Sequence, residues 1–145
     1  MFHEWKREGY LISTDPGRLD LGVVHGFLKD SYWAQGVPLE VVERSVENSL
    51  VFGVYWGNEQ VGFARVVTDR ATFAYLADVF VLEEHRGRGL GRWMVEVVLS
   101  HPELRGLRRW MLATADAHGL YWGYGFRELA NPEIFMERKD ANYGV

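Results

Sequence analysis

Apolar positions along this chain follow two rhythms, and the switches between them outline its elements. Gly9 to Thr14 reads as a first strand, ended by Asp15-Pro16-Gly17. From Asp20 to about Ser31 the rhythm is helical, with Leu21, Val24, Phe27 and Leu28 on one face and Asp20 placed to cap the first turn. A break at Gly36-Val37-Pro38 leads to a second helix, with Pro38 near its start and Leu39, Val42 and Val46 inward. Ser49 to Trp56 and Glu59 to Thr68 form a hairpin pattern around Gly57-Asn58. Thr72 to Leu82 is the next strand, and a helix running to about Ser100 places Leu90, Trp93, Met94, Val97 and Val98 together. Pro102 and Gly106 punctuate the return to a strand at Arg109 to Thr114. A short helix from Asp116 to Gly123 then precedes closing strands near Phe126 to Ala130 and Ile134 to Arg138. The predicted order is β-α-α-β-β-β-α-β-α-β, an α/β fold with a mixed sheet. No linker or repeat divides it, so residues 1–145 are expected to form a single domain.

The connection between the apolar strand Val79-Phe80-Val81-Leu82 and the long helix carries the chemistry. It reads Glu83-Glu-His-Arg-Gly-Arg-Gly-Leu-Gly-Arg92. Gly87, Gly89 and Gly91 are expected to let the backbone adopt φ > 0 and approach a ligand without Cβ clashes. The unpaired N–H groups of a first helical turn, with the positive end of the helix dipole, suit an anion. Arg86, Arg88 and Arg92 add full positive charge. A plain strand-to-helix turn needs neither three glycines nor three interleaved arginines. Phosphate is the indicated ligand. The spacing excludes a dinucleotide fingerprint, because G-x-G-x-x-G would require glycine at position 94, and no G-x-x-x-x-G-K-S/T string occurs.

Arg86-x-x-Gly89-x-Gly91 resembles the R/Q-x-x-G-x-G/A loop of the GNAT superfamily of acyl-CoA N-acyltransferases. Downstream, Tyr121-x-x-x-Gly125-Phe126 is similar to the segment in which that family places a tyrosine four residues before a G-F pair. The resemblance covers the C-terminal half with two ordered motifs, and the N-terminal half agrees in its pattern of elements. It implies a mainly antiparallel mixed sheet flanked by helices, with the strands around the loop helix splayed to admit the pantetheine arm. It further implies acetyl-CoA as co-substrate, its pyrophosphate on Arg86, Gly87, Arg88, Gly89, Leu90, Gly91 and Arg92. Two positions depart from the family pattern: Glu83 replaces a frequent proline, and Asp116 replaces an asparagine that bonds the pantetheine arm. An ionised aspartate accepts a hydrogen bond but donates none.

Composition narrows the setting. The 145 residues are 48% hydrophobic and 25% charged, ordinary for a globular domain. The absence of cysteine excludes disulfides, thiolate metal sites and a cysteine nucleophile, and suits the cytoplasm. No apolar stretch reaches the ~20 residues that span a membrane, and the N-terminus lacks a signal-peptide core. With a net charge of −4 the chain has no global footprint for nucleic acid. The five histidines show no metal-ligand spacing and are read as structural, so no metal is expected. A homodimer is compatible with this picture.

Transfer of an acetyl group to an amine requires deprotonation of the amine, a stabilised oxyanion and a proton for the departing sulfur. The backbone N–H groups of Val79, Phe80 and Val81 are the candidate oxyanion donors. Tyr121 is the candidate acid, a role that the family often gives this position; its other reading is a core aromatic beside Leu120, Tyr124 and Phe126. Asp78 is acidic within an apolar strand and is a candidate base, or else a carboxylate bound to a backbone amide or to Arg65. Strand alternation sets Tyr75 and Ala77 on the face opposite Asp78, and because other members of the family use that second face the resemblance implies Tyr75 as a candidate on the acceptor side. Tyr32 and Trp33, adjacent aromatics between the first two helices, either wall the acceptor pocket or plug the seam between the helices. No G-x-S-x-G elbow occurs, so direct transfer in a ternary complex is the expected mechanism. The competing reading is an acyl-CoA-binding module or sensor without transfer activity.

Overall fold

Alternating apolar side chains build a six-stranded sheet whose strands lie side by side in chain order. The computed structural model describes residues 1–145. β1 (Glu4–Arg7), β2 (Tyr10–Ser13), β3 (Leu50–Trp56), β4 (Glu59–Thr68) and β5 (Phe73–Val81) pair successively in antiparallel fashion. β6 (Arg109–Leu112) adds to β5 in parallel. Helices α1 (Leu21–Leu28) and α2 (Leu39–Glu47) join β2 to β3, and α3 (Leu90–Ser100) crosses from β5 to β6. One more turn, α4 (His118–Trp122), follows β6. This is the expected mixed α/β architecture.

Neighbouring strand residues point to opposite faces, so the sheet sorts its side chains into two cores. Phe52, Ala64 and Leu76 meet Trp93, Met94 and Val98 of α3 on one face. Val51, Phe63 and Phe80 meet Val24, Leu28 and Val42 of α1 and α2 on the other. Phe52 and Phe63 are almost wholly buried, and truncating either to alanine is expected to cost about 3–5 kcal/mol. Asp20 caps α1 as anticipated, its carboxylate accepting from the Val23 N–H at 3.2 Å; such a cap contributes about 1 kcal/mol.

Both ends of the chain depart from expectation. The N-terminus adds β1, an edge strand whose charged positions Glu4, Lys6 and Arg7 hide its strand rhythm. The closing strands expected at Phe126 to Ala130 and Ile134 to Arg138 do not form, and β6 ends the sheet. Arg127 donates to the carbonyls of Trp122 and Phe126, both at 2.8 Å, and so engages acceptors that a ladder would use. Pro132, which lacks a backbone donor, opens a 3-10 turn to Ile134.

Two irregularities in β5 shape the middle of the sheet. Phe63 pairs with Phe80 and Arg65 with Ala77, so Ala64 alone faces both Asp78 and Val79. This is a β-bulge, with Asp78 in the left-handed region at φ 55. It reverses the facing of the strand: Ala74 and Leu76 belong to the α3 core, whereas Phe80 belongs to the α1–α2 core. The second irregularity is a parting of strands. Pairing of β5 with β6 stops at Leu76 and Leu112, while β5 continues to Val81. The expected splay is present.

Candidate active site

The unpaired end of β5 runs directly into the glycine–arginine loop. Gly87 and Gly89 have φ of 79 and 76, the left-handed backbone that favours glycine. Gly91 departs from the expectation of positive φ, because it already lies in the first turn of α3. A Cβ added at Gly87, Gly89 or Gly91 would meet no atom within 4 Å, so the space over all three is an open cradle. The first intrahelical bond of α3 runs from the Trp93 N–H to the Gly89 carbonyl. The earlier N–H groups, up to that of Arg92, therefore have no helical partner. Arg86 Nε donates to the Val81 carbonyl at 2.9 Å and pins the loop to the strand. Leu90 is buried under the helix, and Arg88 and Arg92 lie at the surface around the cradle. Orphan donors, a helix N-terminus and flanking guanidinium groups fit a pyrophosphate.

A cavity of about 660 Å³ lies where β5 and β6 part, lined by Leu76 to Val79 and by Leu112 to Thr114. Tyr32, Trp33, Tyr75, Asp78, Asp116 and Tyr121 all line it. Tyr75 and Asp78, set on opposite faces by strict alternation, reach the same cavity because the bulge intervenes between Ala77 and Phe80. Of the three residues nominated as oxyanion donors, Val79 lines the cavity, whereas the Phe80 ring stacks on Phe27 at 4.1 Å in the α1–α2 core. The stretch Ala77–Val81 has no partner on the β6 side, which leaves strand donors there free for a carbonyl oxygen.

Asp78 is held on both oxygens. Oδ2 accepts from Arg65 Nε at 2.9 Å, and Oδ1 accepts from Trp33 Nε1 at 2.9 Å. Arg65 also donates to Ser49 Oγ at 3.2 Å. The geometry matches the second reading of Asp78, a carboxylate bound to Arg65, with Trp33 as a further partner from 45 residues away. Trp33 combines its two readings: it packs against Phe27 in the α1–α2 core and also lines the cavity. Tyr32 accepts at its hydroxyl from the Ala115 N–H at 2.9 Å, tying the α1–α2 loop to the start of the α4 segment. Asp116 precedes α4, and its carboxylate is exposed at the cavity rim.

Tyr121 is buried on α4 with its ring edge-on to Phe126. Burial foremost, then the neighbouring Tyr32 and Asp116, pushes its hydroxyl up to about 12. It therefore keeps its proton at any physiological pH and can act as a donor, though not as a base. Glu137 and Tyr143 also line the cavity, and neither was among the sequence candidates. Glu137 comes from the segment expected as the last closing strand and Tyr143 from beyond it, and nothing in their spacing signals a cleft wall.

Of the histidines, His85 takes a structural part, its Nδ1 bonded to the Tyr10 hydroxyl at 2.8 Å. His3, His101 and Glu103 form the one cluster with ligand-type atoms close together, within 4.8 Å. His101 Nδ1 accepts from the Glu103 N–H at 3.1 Å, so the neutral ring carries its proton on Nε2. In that tautomer Nε2 is a buried donor without a hydrogen-bond partner.

The geometry can now be set beside known proteins. Residues 47–128 match the family model described as Acetyltransferase (GNAT) domain. The chain belongs to the GNAT acetyltransferase family. A candidate acetyltransferase of Gibberella zeae is 35% identical over 116 residues, 65% of this chain and 64% of that protein. The chain thus spans under two thirds of that relative's length. A crystal structure of a candidate GNAT-family acetyltransferase from Xanthomonas campestris pv. campestris superposes with a TM-score of 0.90 at 49% identity. That match covers 93% of this chain and 96% of the other. A candidate acetyltransferase from Clostridium acetobutylicum, solved with acetyl-CoA, shares the fold at TM-score 0.66 and 13% identity, over 96% of each chain.

Proposed function

We propose that this GNAT protein is an N-acetyltransferase that moves the acetyl group of acetyl-CoA directly to an amine. The observation that carries this reading is the pairing of an anion cradle with a separate amine-sized cavity at one parted pair of strands. The N–H groups of Gly89, Leu90, Gly91 and Arg92 hold the pyrophosphate, with Arg88 and Arg92 adding charge and Arg86 keeping the loop in place. Acetyl-CoA supplies the thioester, an activated acyl group. The Clostridium acetobutylicum protein, solved with acetyl-CoA on the same fold, supports this choice of co-substrate.

The free edge of β5 around Val79 stabilises the carbonyl oxygen as negative charge develops on it. Removing one such donor typically costs 10²–10³ in kcat. The ammonium gives up one proton to solvent before attack; as the C–N bond forms and the C–S bond breaks, the proton lost by the nitrogen ends on the sulfur, with the protonated Tyr121 hydroxyl hydrogen-bonded to that sulfur. Asp78 acts as a positioning residue: bonded to Trp33 and Arg65, it fixes the bulge that turns Tyr75 and Val79 toward the cavity. Most of the acceleration then comes from holding amine and thioester together, an effect worth about 7–11 kcal/mol when the geometry is good.

Tyr121 also separates this reading from an acyl-CoA sensor, which needs no hydroxyl at the sulfur. The test is release of free CoA from acetyl-CoA in the presence of a primary-amine panel, with acetylated amine identified by mass. Tyr121→Phe should keep acetyl-CoA affinity and lose roughly 10²-fold in turnover. Binding of acetyl-CoA with no amine-dependent CoA release would support the sensor instead.

A further inference from the structure

The C-terminal segment 137–145 walls the cavity in a manner that selects its occupant. The Gly144 N–H donates to the Gln35 carbonyl at 3.0 Å and the Val145 N–H to the Trp33 carbonyl at 3.3 Å. Gly144 has φ 73, and a Cβ there would lie 2.7 Å from the Trp33 oxygen. Glycine is therefore required where the segment crosses the loop. Tyr143 packs against the α1–α2 core beside it. The same segment brings the exposed Glu137 to the cavity lining, and its far end is tied to the α1–α2 loop that presents Tyr32 and Trp33.

The charges around the cavity do not cancel. Arg65 is the one cation among the lining residues, and it is already paired with Asp78 at 2.9 Å. Asp116 and Glu137 remain as carboxylates without a salt bridge. The rest of the lining is dominated by apolar and aromatic side chains. An ammonium entering this space meets the uncompensated Glu137 carboxylate, while Asp116, at the position that the family resemblance gives to the pantetheine arm, adds a second negative charge to the lining. A carboxylate on the same molecule meets no free cation, and burying it unpaired is costly.

Building on the transferase reading, we infer that the acceptor is a cationic amine with no carboxylate, carried on an apolar, aromatic or second cationic body, and that Glu137 recognises its ammonium group. Amino acids and acidic acceptors are disfavoured at this site. Glu137 contributes charge complementarity at the cavity lining and Tyr75 and Trp33 offer ring faces to the amine's body.

The test compares acceptors that differ only by a carboxylate: 2-phenylethylamine with phenylalanine, 1,4-diaminobutane with ornithine, and agmatine with arginine. In at least one pair the amine should exceed its carboxylated parent by about tenfold or more in kcat/KM. Glu137→Gln, an exposed substitution that leaves the fold intact, should raise the amine KM about three- to tenfold with the acetyl-CoA KM unchanged. It should also narrow the preference for the amine over its parent. Equal or better use of the carboxylated parents overturns the inference, as does a Glu137→Gln enzyme with unaltered amine KM and unaltered preference. Transfer to none of the six, with CoA release still driven by another amine of the panel, overturns the inference and leaves the transferase reading standing. Failure of acetyl-CoA to bind would overturn the transferase reading itself.

Discussion

Replacing Asp78 distinguishes a carboxylate that organises the cavity from one that removes a proton. Two partners and an unusual backbone depend on this side chain: Arg65 Nε, Trp33 Nε1 and a residue at φ 55. Breaking a fully buried ion pair by removing one partner costs about 3–5 kcal/mol. Here the side chains are 18% and 12% exposed, so water offsets part of that loss and about 2–3 kcal/mol is expected for Asp78→Ala. Alanine at positive φ adds roughly 1 kcal/mol. Asparagine tolerates the left-handed region and still offers an oxygen to one partner, so Asp78→Asn should lose only about 1–2 kcal/mol. For a chain of this length these losses correspond to about 9–14 °C for alanine and 3–7 °C for asparagine. Differential scanning calorimetry reads the stability, and amine acetylation at 20 °C reads the turnover. Asp78→Asn should retain turnover within about tenfold. An unchanged melting temperature combined with a loss of 10³-fold or more in kcat would refute the positioning role and make Asp78 the base.

Two further outcomes follow from ionisation. Burial foremost, with His3 adding to it, lowers the His101 pKa below the ordinary value. The unfolded chain then takes up a proton before the native one does, so this residue's contribution is complete above about pH 6.5 and is lost as pH falls through the depressed value. Melting temperature should accordingly drop below pH 6.5 in the wild type, and less steeply in His101→Gln; parallel pH dependences would contradict that assignment. Tyr121 has its hydroxyl raised to about 12, so kcat/KM should show no alkaline fall from this group up to about pH 10. An alkaline limb below pH 9.5 that disappears in Tyr121→Phe would contradict it.

How far the site could be read from sequence varied with the range of the interactions that make it. The anion cradle is local: glycines at 87, 89 and 91 mark the turn and the helix start within a few residues, and the structure assembles them as one surface. Even there, glycine has two uses. Gly87 and Gly89 supply positive φ, while Gly91 supplies room. The bulge at Asp78 is set by pairing with β4 and by Arg65 and Trp33, the latter 45 residues away, so a period-two reading of β5 placed Tyr75 on the wrong side of Asp78. The apolar spacing of Phe126, Leu129, Ile134 and Met136 suggests strands, yet Arg127 and Pro132 divert the backbone and much of that surface stays exposed. Tyr143 and Glu137 join the cavity only because Gly144 can pass close to the Trp33 carbonyl. No local pattern announces such a crossing.

The central claim is that the backbone over Gly91 receives acetyl-CoA, and Gly91→Val tests it most directly. Gly91 has ordinary helical backbone and an added Cβ meets nothing within 4 Å, so the protein alone has no reason to resist a side chain there. Valine is a slightly better helix former than glycine, by a few tenths of a kcal/mol. The variant should match the wild type in melting temperature without ligand. Titration calorimetry should then show acetyl-CoA binding to the wild type and an affinity lower by about 100-fold or more in the variant, because the side chain occupies the space that the pyrophosphate needs. Equal affinity in the two proteins, or a wild type that ignores acetyl-CoA, would contradict the account.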